Sequence, residues 1–149
     1  MKIDLPCLQQ EQDYSCVPAC LRIVLRHLGA DFSEMEIGEV SKTTELGTDH
    51  DEAAQGILSL GFNVLKLENA KFDNIKSCIR RSRPVVVIVS VKHLPYGGQS
   101  GTHAVVVNGF ETNLVSFIDP ARGEEIEIDL DTFLRAWQAR GCLGLVVET

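Results

Sequence analysis

Gln10-Glu11-Gln12-Asp13-Tyr14-Ser15-Cys16-Val17-Pro18-Ala19-Cys20 decides how this chain is read. A polar, turn-forming stretch ends at Cys16, and an apolar pattern with Leu21, Val24, Leu25 and Leu28 at three- and four-residue spacing follows, one face of a helix. Pro18 fits the first helical turn, where a missing N–H costs nothing, and Gly29 fits the end. Cys16 is therefore expected at the helix N-terminus, where free N–H groups and the helix dipole favour a thiolate. Such a position suits a nucleophilic cysteine.

Working outward, 149 residues suit a single domain spanning 1–149, with 44% hydrophobic and 23% charged residues as in ordinary globular proteins. A net charge of −7 argues against a nucleic-acid partner, whose phosphates require clustered Lys and Arg. Arg80, Arg81 and Arg83 are instead expected at the solvated end of a helix, favourably placed on its dipole. No stretch approaches the ~20 apolar residues of a membrane span. Met1-Lys2-Ile3-Asp4-Leu5-Pro6 does not read as a secretory signal. Five cysteines, an odd number in a domain that needs no staples, suggest a reduced, cytoplasmic setting. Cys7, Cys20, Cys78 and Cys142 are expected to be small buried hydrophobes. Cys16, Cys20 and His27 share a helix face, but Cys20 and His27 would lie roughly 10 Å apart, too far for one zinc ion. No cofactor is implied.

Periodicity predicts helices at Cys16–Leu28, from a Ser33/Glu36 capping box to Val40, at Asp49–Leu60 with Ala53, Ala54, Ile57 and Leu58 inward, and at Phe72–Arg81. Phe62–Leu67 is a short strand, and Pro84–Val91 a strand buried on both faces. Lys92–Gly101 reads as a mobile surface loop, with Gly97–Gly101 a flexible flap. Strands follow at His103–Phe110, Leu114–Asp119, Glu124–Ile128 and Leu143–Val147, with a helix near Leu130–Gln138 that buries Trp137. Helices first and closely spaced strands later imply an α+β domain.

A nucleophilic cysteine needs a base and a group to orient it. His27, eleven residues along the same helix, would be roughly 16 Å away. His50 and His93 read as exposed. His103 opens the strand Ala104-Val105-Val106-Val107, and Leu114-Val115-Ser116-Phe117-Ile118 ends at Asp119-Pro120. A hairpin around Glu111-Thr112-Asn113 pairs His103 with a residue between about 119 and 122, within reach of Asp119. The pattern fits equally well a histidine that begins a strand and an aspartate that precedes a turn. An oxyanion could be held by the Cys16 N–H and by Gln9, Gln10 or Gln12.

This order of glutamine, helix-start cysteine, strand-start histidine and Asp-Pro resembles the papain-like peptidases that remove double-glycine leader peptides. The resemblance implies a papain-like fold, its nucleophile helix packed on a C-terminal antiparallel sheet. It also implies Cys16 as nucleophile, His103 as base, Asp119 as its orienting acid, and Gln10, six residues before the cysteine, in the oxyanion hole. Members often carry Asp-Cys-Gly where this chain has Ser15-Cys16-Val17, so the catalytic class carries over better than the substrate. Many members form part of a peptide-exporting transporter. This chain shows neither a membrane segment nor a phosphate-binding loop, and is expected to stand alone or act in trans.

Three functions follow: a thiol peptidase with a peptide or protein substrate, a glutamine deamidase or acyltransferase using the same residues, or a non-catalytic peptide-binding module. Four intact site residues weaken the third.

Overall fold

Proline and glycine punctuate the helices where the sequence places them. The computed structural model describes residues 1–98 and 101–149, so Gln99 and Ser100 of the expected flap lie outside the described residues. Helix α1 (Cys16–His27) carries Pro18 in its first turn, and Gly29 follows it at φ +88°, a left-handed conformation suited to glycine. Helix α2 (Glu34–Val40) has the expected capping box: Ser33 Oγ accepts from the Glu36 N–H, and Glu36 accepts from the Ser33 N–H, both at 3.0 Å. Helix α3 (His50–Ser59) is capped by Asp49. Gly56 lets α3 approach α2, since a Cβ there would lie 2.7 Å from the Val40 carbonyl oxygen.

Beyond α3 come β1 (Asn63–Leu67), α4 (Phe72–Arg80), β2 (Val85–Ser90), a 3-10 turn (Val91–His93), β3 (Thr102–Glu111) and β4 (Leu114–Asp119). The described chain closes with β5 (Glu124–Asp129), α5 (Leu130–Gln138) and β6 (Gly144–Glu148). The strands form one antiparallel sheet in the order β1-β6-β2-β3-β4-β5.

Alternating side chains send the sheet's two faces to different partners. Val86, Ala104, Val106, Leu145 and Val147 pack with Leu21, Val24, Leu25, Ile37 and Ile57 of the first three helices. Val85, Val87, Val105, Val107, Phe117 and Val146 pack with Ile75 and Ile79 of α4 and with Phe133 and Trp137 of α5. Both faces being covered explains why β2 reads as a continuous apolar run. Trp137 is fully buried, and its indole N–H donates to the Leu143 carbonyl at 2.9 Å.

Several expectations are corrected. Leu58 is 46% exposed, because α3 turns it outward beyond Ile57. Cys7 is exposed, lying in the extended N-terminal segment rather than the core. Arg81 and Arg83 do more than end a helix. They bind Glu148 at the end of β6, at 3.1 and 3.2 Å. Among the described residues, no helix is long and apolar enough to cross a membrane.

Candidate active site

Cys16 is the first residue of α1. The preceding Ser15 does not cap the helix with its side chain. Its hydroxyl instead accepts from the Gln12 N–H at 3.0 Å and lies 2.7 Å from Glu34 Oε2. The first N–H groups of α1 are thus left without a side-chain cap and free to meet developing negative charge beside the thiol. Glu34, only 4% exposed, also accepts from the Glu11 N–H at 2.8 Å. It fixes the loop that delivers Cys16.

His103 lies at the start of β3, bound on one side to Asp119, and lines the same hollow as Cys16. Its Nε2 is 2.7 Å from Asp119 Oδ1, which leaves Nδ1 for the sulfur. Val106 pairs with Ile118, and extending that register sets residue 121 opposite His103, so Asp119 reaches it diagonally. The aspartate is held by the turn that follows it. Ala121 N–H donates to Oδ1 at 2.9 Å, and Gly123 N–H donates to the Asp119 carbonyl at 2.8 Å.

Tyr96, unmarked by any pattern in the sequence, has a hydroxyl that donates to Asp119 Oδ2 at 2.6 Å. Both Asp119 oxygens are therefore occupied. Tyr96 comes from the expected mobile loop, of whose described residues Leu94 is 5% exposed and His93 is partly buried in the 3-10 turn. An aromatic in a Pro- and Gly-rich loop has no periodicity to betray its target. Glu34 was likewise hidden, since an acid in a first helical turn reads as a dipole partner.

Burial alone would push the His103 imidazole down, but its hydrogen bond to Asp119 and the nearby Cys16 outweigh that and raise its pKa from 6.5 to about 9. Burial would raise Asp119, yet donors from His103, Tyr96 and the Ala121 amide hold it below its ordinary 3.8. Cys20 sits one turn behind Cys16. Full burial, followed by nearby Cys16, Asp119 and Glu34, pushes its thiol well up and leaves it inert.

Gln10 is tied to the same corner, its backbone N–H donating to the Pro120 carbonyl at 2.8 Å. Its side-chain amide donates to the carbonyls of Gln12 at 2.8 Å and Asp13 at 3.3 Å. The structure thus gathers Cys16, His103 and Asp119, with Gln10 bound to the turn after the acid. His27 is remote, its Nε2 3.1 Å from the Ser82 carbonyl. His50 corrects its expectation: it is half-buried, bonds the Gly144 carbonyl at 2.8 Å, and lines a hollow shared with Cys16 and His103. His50, Asp51 and Glu68 have ligand atoms within 4.8 Å of one another. Lys66, 2.9 Å from Asp51 and 3.8 Å from Glu68, puts its ammonium where a cation would sit.

A thiol at a helix start, facing a histidine on a sheet backed by an acid, belongs to the papain-like class of folds. The profile of the Peptidase_C39 like family matches residues 2–145, and the chain belongs to that family. An uncharacterized protein of Methanothermobacter thermautotrophicus is 31% identical over 141 residues, covering 95% of this chain and 87% of the relative. Among solved structures, a Bacillus anthracis protein described as a C39-like peptidase superposes with a TM-score of 0.83 at 17% identity, covering 100% of this chain and 98% of that one. The peptidase domain of Streptococcus ComA, a bifunctional ABC transporter in quorum sensing, gives 0.77 at 22% identity, with 97% and 96% covered. A double glycine motif protease from an AMS/PCAT transporter, in complex with its leader peptide, gives 0.73 at 15% identity, with 98% and 92% covered.

Proposed function

We propose that residues 1–149 form one catalytic unit, a cysteine peptidase that cleaves a peptide or protein through a thioester. The observation that carries this reading is a His103 that lines one hollow with Cys16 and holds its Nε2 2.7 Å from Asp119 Oδ1. The Cys16 thiolate attacks the scissile carbonyl, forming the C–S bond as the π pair moves to oxygen. The Cys16 N–H and the Gln10 amide hold that oxyanion, Gln10 exchanging its long 3.3 Å bond to Asp13 for a charge-assisted one. The oxyanion collapses, the C–N bond breaks, and His103 gives its proton to the departing amine. Water, deprotonated by His103, then releases the acid and restores the thiolate. Asp119 orients His103 throughout. A leader-peptide substrate is supported by the fold shared with a leader-bound protease, and a cytoplasmic setting by five free cysteines.

The test begins with iodoacetamide labelling from about pH 4 to about pH 9, mapped by mass spectrometry. Labelling should concentrate at Cys16. A peptide library should then be cut by the wild type and left whole by Cys16→Ala, whose far-ultraviolet circular dichroism should show the fold retained. Ammonia release without chain cleavage would replace the peptidase with a deamidase. Uniform slow labelling would leave a peptide-binding module.

A further inference from the structure

His103 separates two hollows. One, of about 270 Å³, lies toward Asp119 and is lined by Leu94, Tyr96 and Arg122. The other, also about 270 Å³, holds both Cys16 and His103 and is walled by Val17, Ala53, Ile88, Ala104, Leu143 and Leu145. From the second we infer the substrate's character at the cut, an inference that rests on the peptidase reading: the enzyme selects an uncharged apolar side chain, not glycine, on the acyl side within two residues of the scissile bond.

Position gives the side. His103 protonates the leaving amine, so the departing half lies toward Asp119 and the acyl half toward Cys16. Cys16 also lines an open hollow with Asp13, Tyr14 and Glu45; the apolar hollow is the one that both Cys16 and His103 line. Volume gives the size. A cavity of about 150 Å³ lined by apolar side chains accepts benzene, and this hollow is larger. A glycine would leave it filled with water against apolar walls.

The lining gives the chemistry. Each polar side chain at the rim other than the reacting pair and the exposed Thr102 is already engaged. Asp49 accepts from the Asp51 and Glu52 N–H groups at 3.1 and 3.2 Å. The Thr48 hydroxyl is 2.7 Å from that of Thr43, and His50 Nε2 is 2.8 Å from the Gly144 carbonyl oxygen. Ala53 and Ala104 are fully buried small residues that leave the room. Fully exposed Leu46, beside Gly47, adds an apolar edge that an occupant would cover. A charged side chain would be desolvated against these apolar walls.

The test needs no known substrate. Peptide aldehydes form a reversible thiohemiacetal: the Cys16 sulfur bonds the carbonyl carbon, and the oxygen takes the proton from His103. Their protection of Cys16 from iodoacetamide is measured with Gly, Leu, Phe, Lys or Glu at each of the last two positions. At one position, Leu or Phe should protect at about ten- to two-hundredfold lower concentration than Gly, the worth of a buried apolar side chain. Lys and Glu should do no better than Gly. Ala53→Leu, or Ile88→Phe should the first fail to fold, should bring the Leu:Gly ratio near unity, a ratio in which general loss of reactivity cancels. Gly equal to Leu at both positions overturns the inference and leaves the peptidase standing. No protection by any aldehyde overturns both.

Discussion

The sharpest prediction concerns what holds the proton on His103. Its rise from 6.5 to about 9 corresponds to about 3 kcal/mol, at ~1.4 kcal/mol per pKa unit. Burial works against this rise, so Asp119 and Cys16 together must supply more than the net. At pH 8 an imidazole with pKa about 9 is about nine-tenths protonated, whereas one at ~6.5 is about 3% protonated. Asp119→Asn keeps the shape but removes the charge, and should lower the His103 pKa by at least about one unit. Cys16→Ala should lower it too. The double variant, left with burial alone, should titrate below 6.5. Heteronuclear NMR of the imidazole C–H groups reads this directly, with His103 assigned by its loss in His103→Gln. The linked stability is fully present below 6.5 and disappears as pH rises through about 9, so urea midpoints should fall across that window in the wild type and less in Asp119→Asn. A His103 resonance still titrating near 9 in Asp119→Asn would refute the account.

Tyr96→Phe should leave Asp119 Oδ2 buried without its donor, a loss of about 1–3 kcal/mol in urea unfolding at neutral pH. Because Asp119 titrates below its ordinary 3.8, that difference should persist above this value and vanish as pH falls through the depressed pKa; a difference constant to pH 2 would contradict it. Glu34→Ala should strand the Glu11 N–H and leave the Ser15 hydroxyl only the Gln12 carbonyl, 2.9 Å away, costing about 1–3 kcal/mol and slowing Cys16 alkylation. Glu34→Gln, which keeps an acceptor oxygen, should recover most of both, and equal damage by the two substitutions would show that charge rather than hydrogen bonding matters.

The parts of the fold legible in advance were those governed by local rules. Ser33 and Glu36 cap α2, Pro18 opens α1, and the apolar run of β2 announces a buried strand, each through interactions within a few residues. The meeting of His103 with Asp119 could be anticipated because a hairpin joins them. Tyr96, Glu34 and His50 reach their partners across 23, 19 and 94 residues. Nothing local requires those meetings. Packing brings them about, as it turns Leu58 outward and lays Arg81 and Arg83 against Glu148.

The position of β6 sets a timetable. β1 reaches the rest of the sheet only through β6, which lies between it and β2. A chain growing from its N-terminus has made Cys16, His103 and Asp119 long before Leu143 and Leu145 exist to wall the hollow beside the sulfur. Sheet assembly therefore cannot proceed strand by strand with synthesis, and non-local closure of this kind is slow. The thiol is present early while its selectivity arrives last. A nascent chain stopped at Cys142 should accordingly react with iodoacetamide without the discrimination among aldehydes that the finished protein shows, and equal discrimination in the two would place the selecting surface elsewhere.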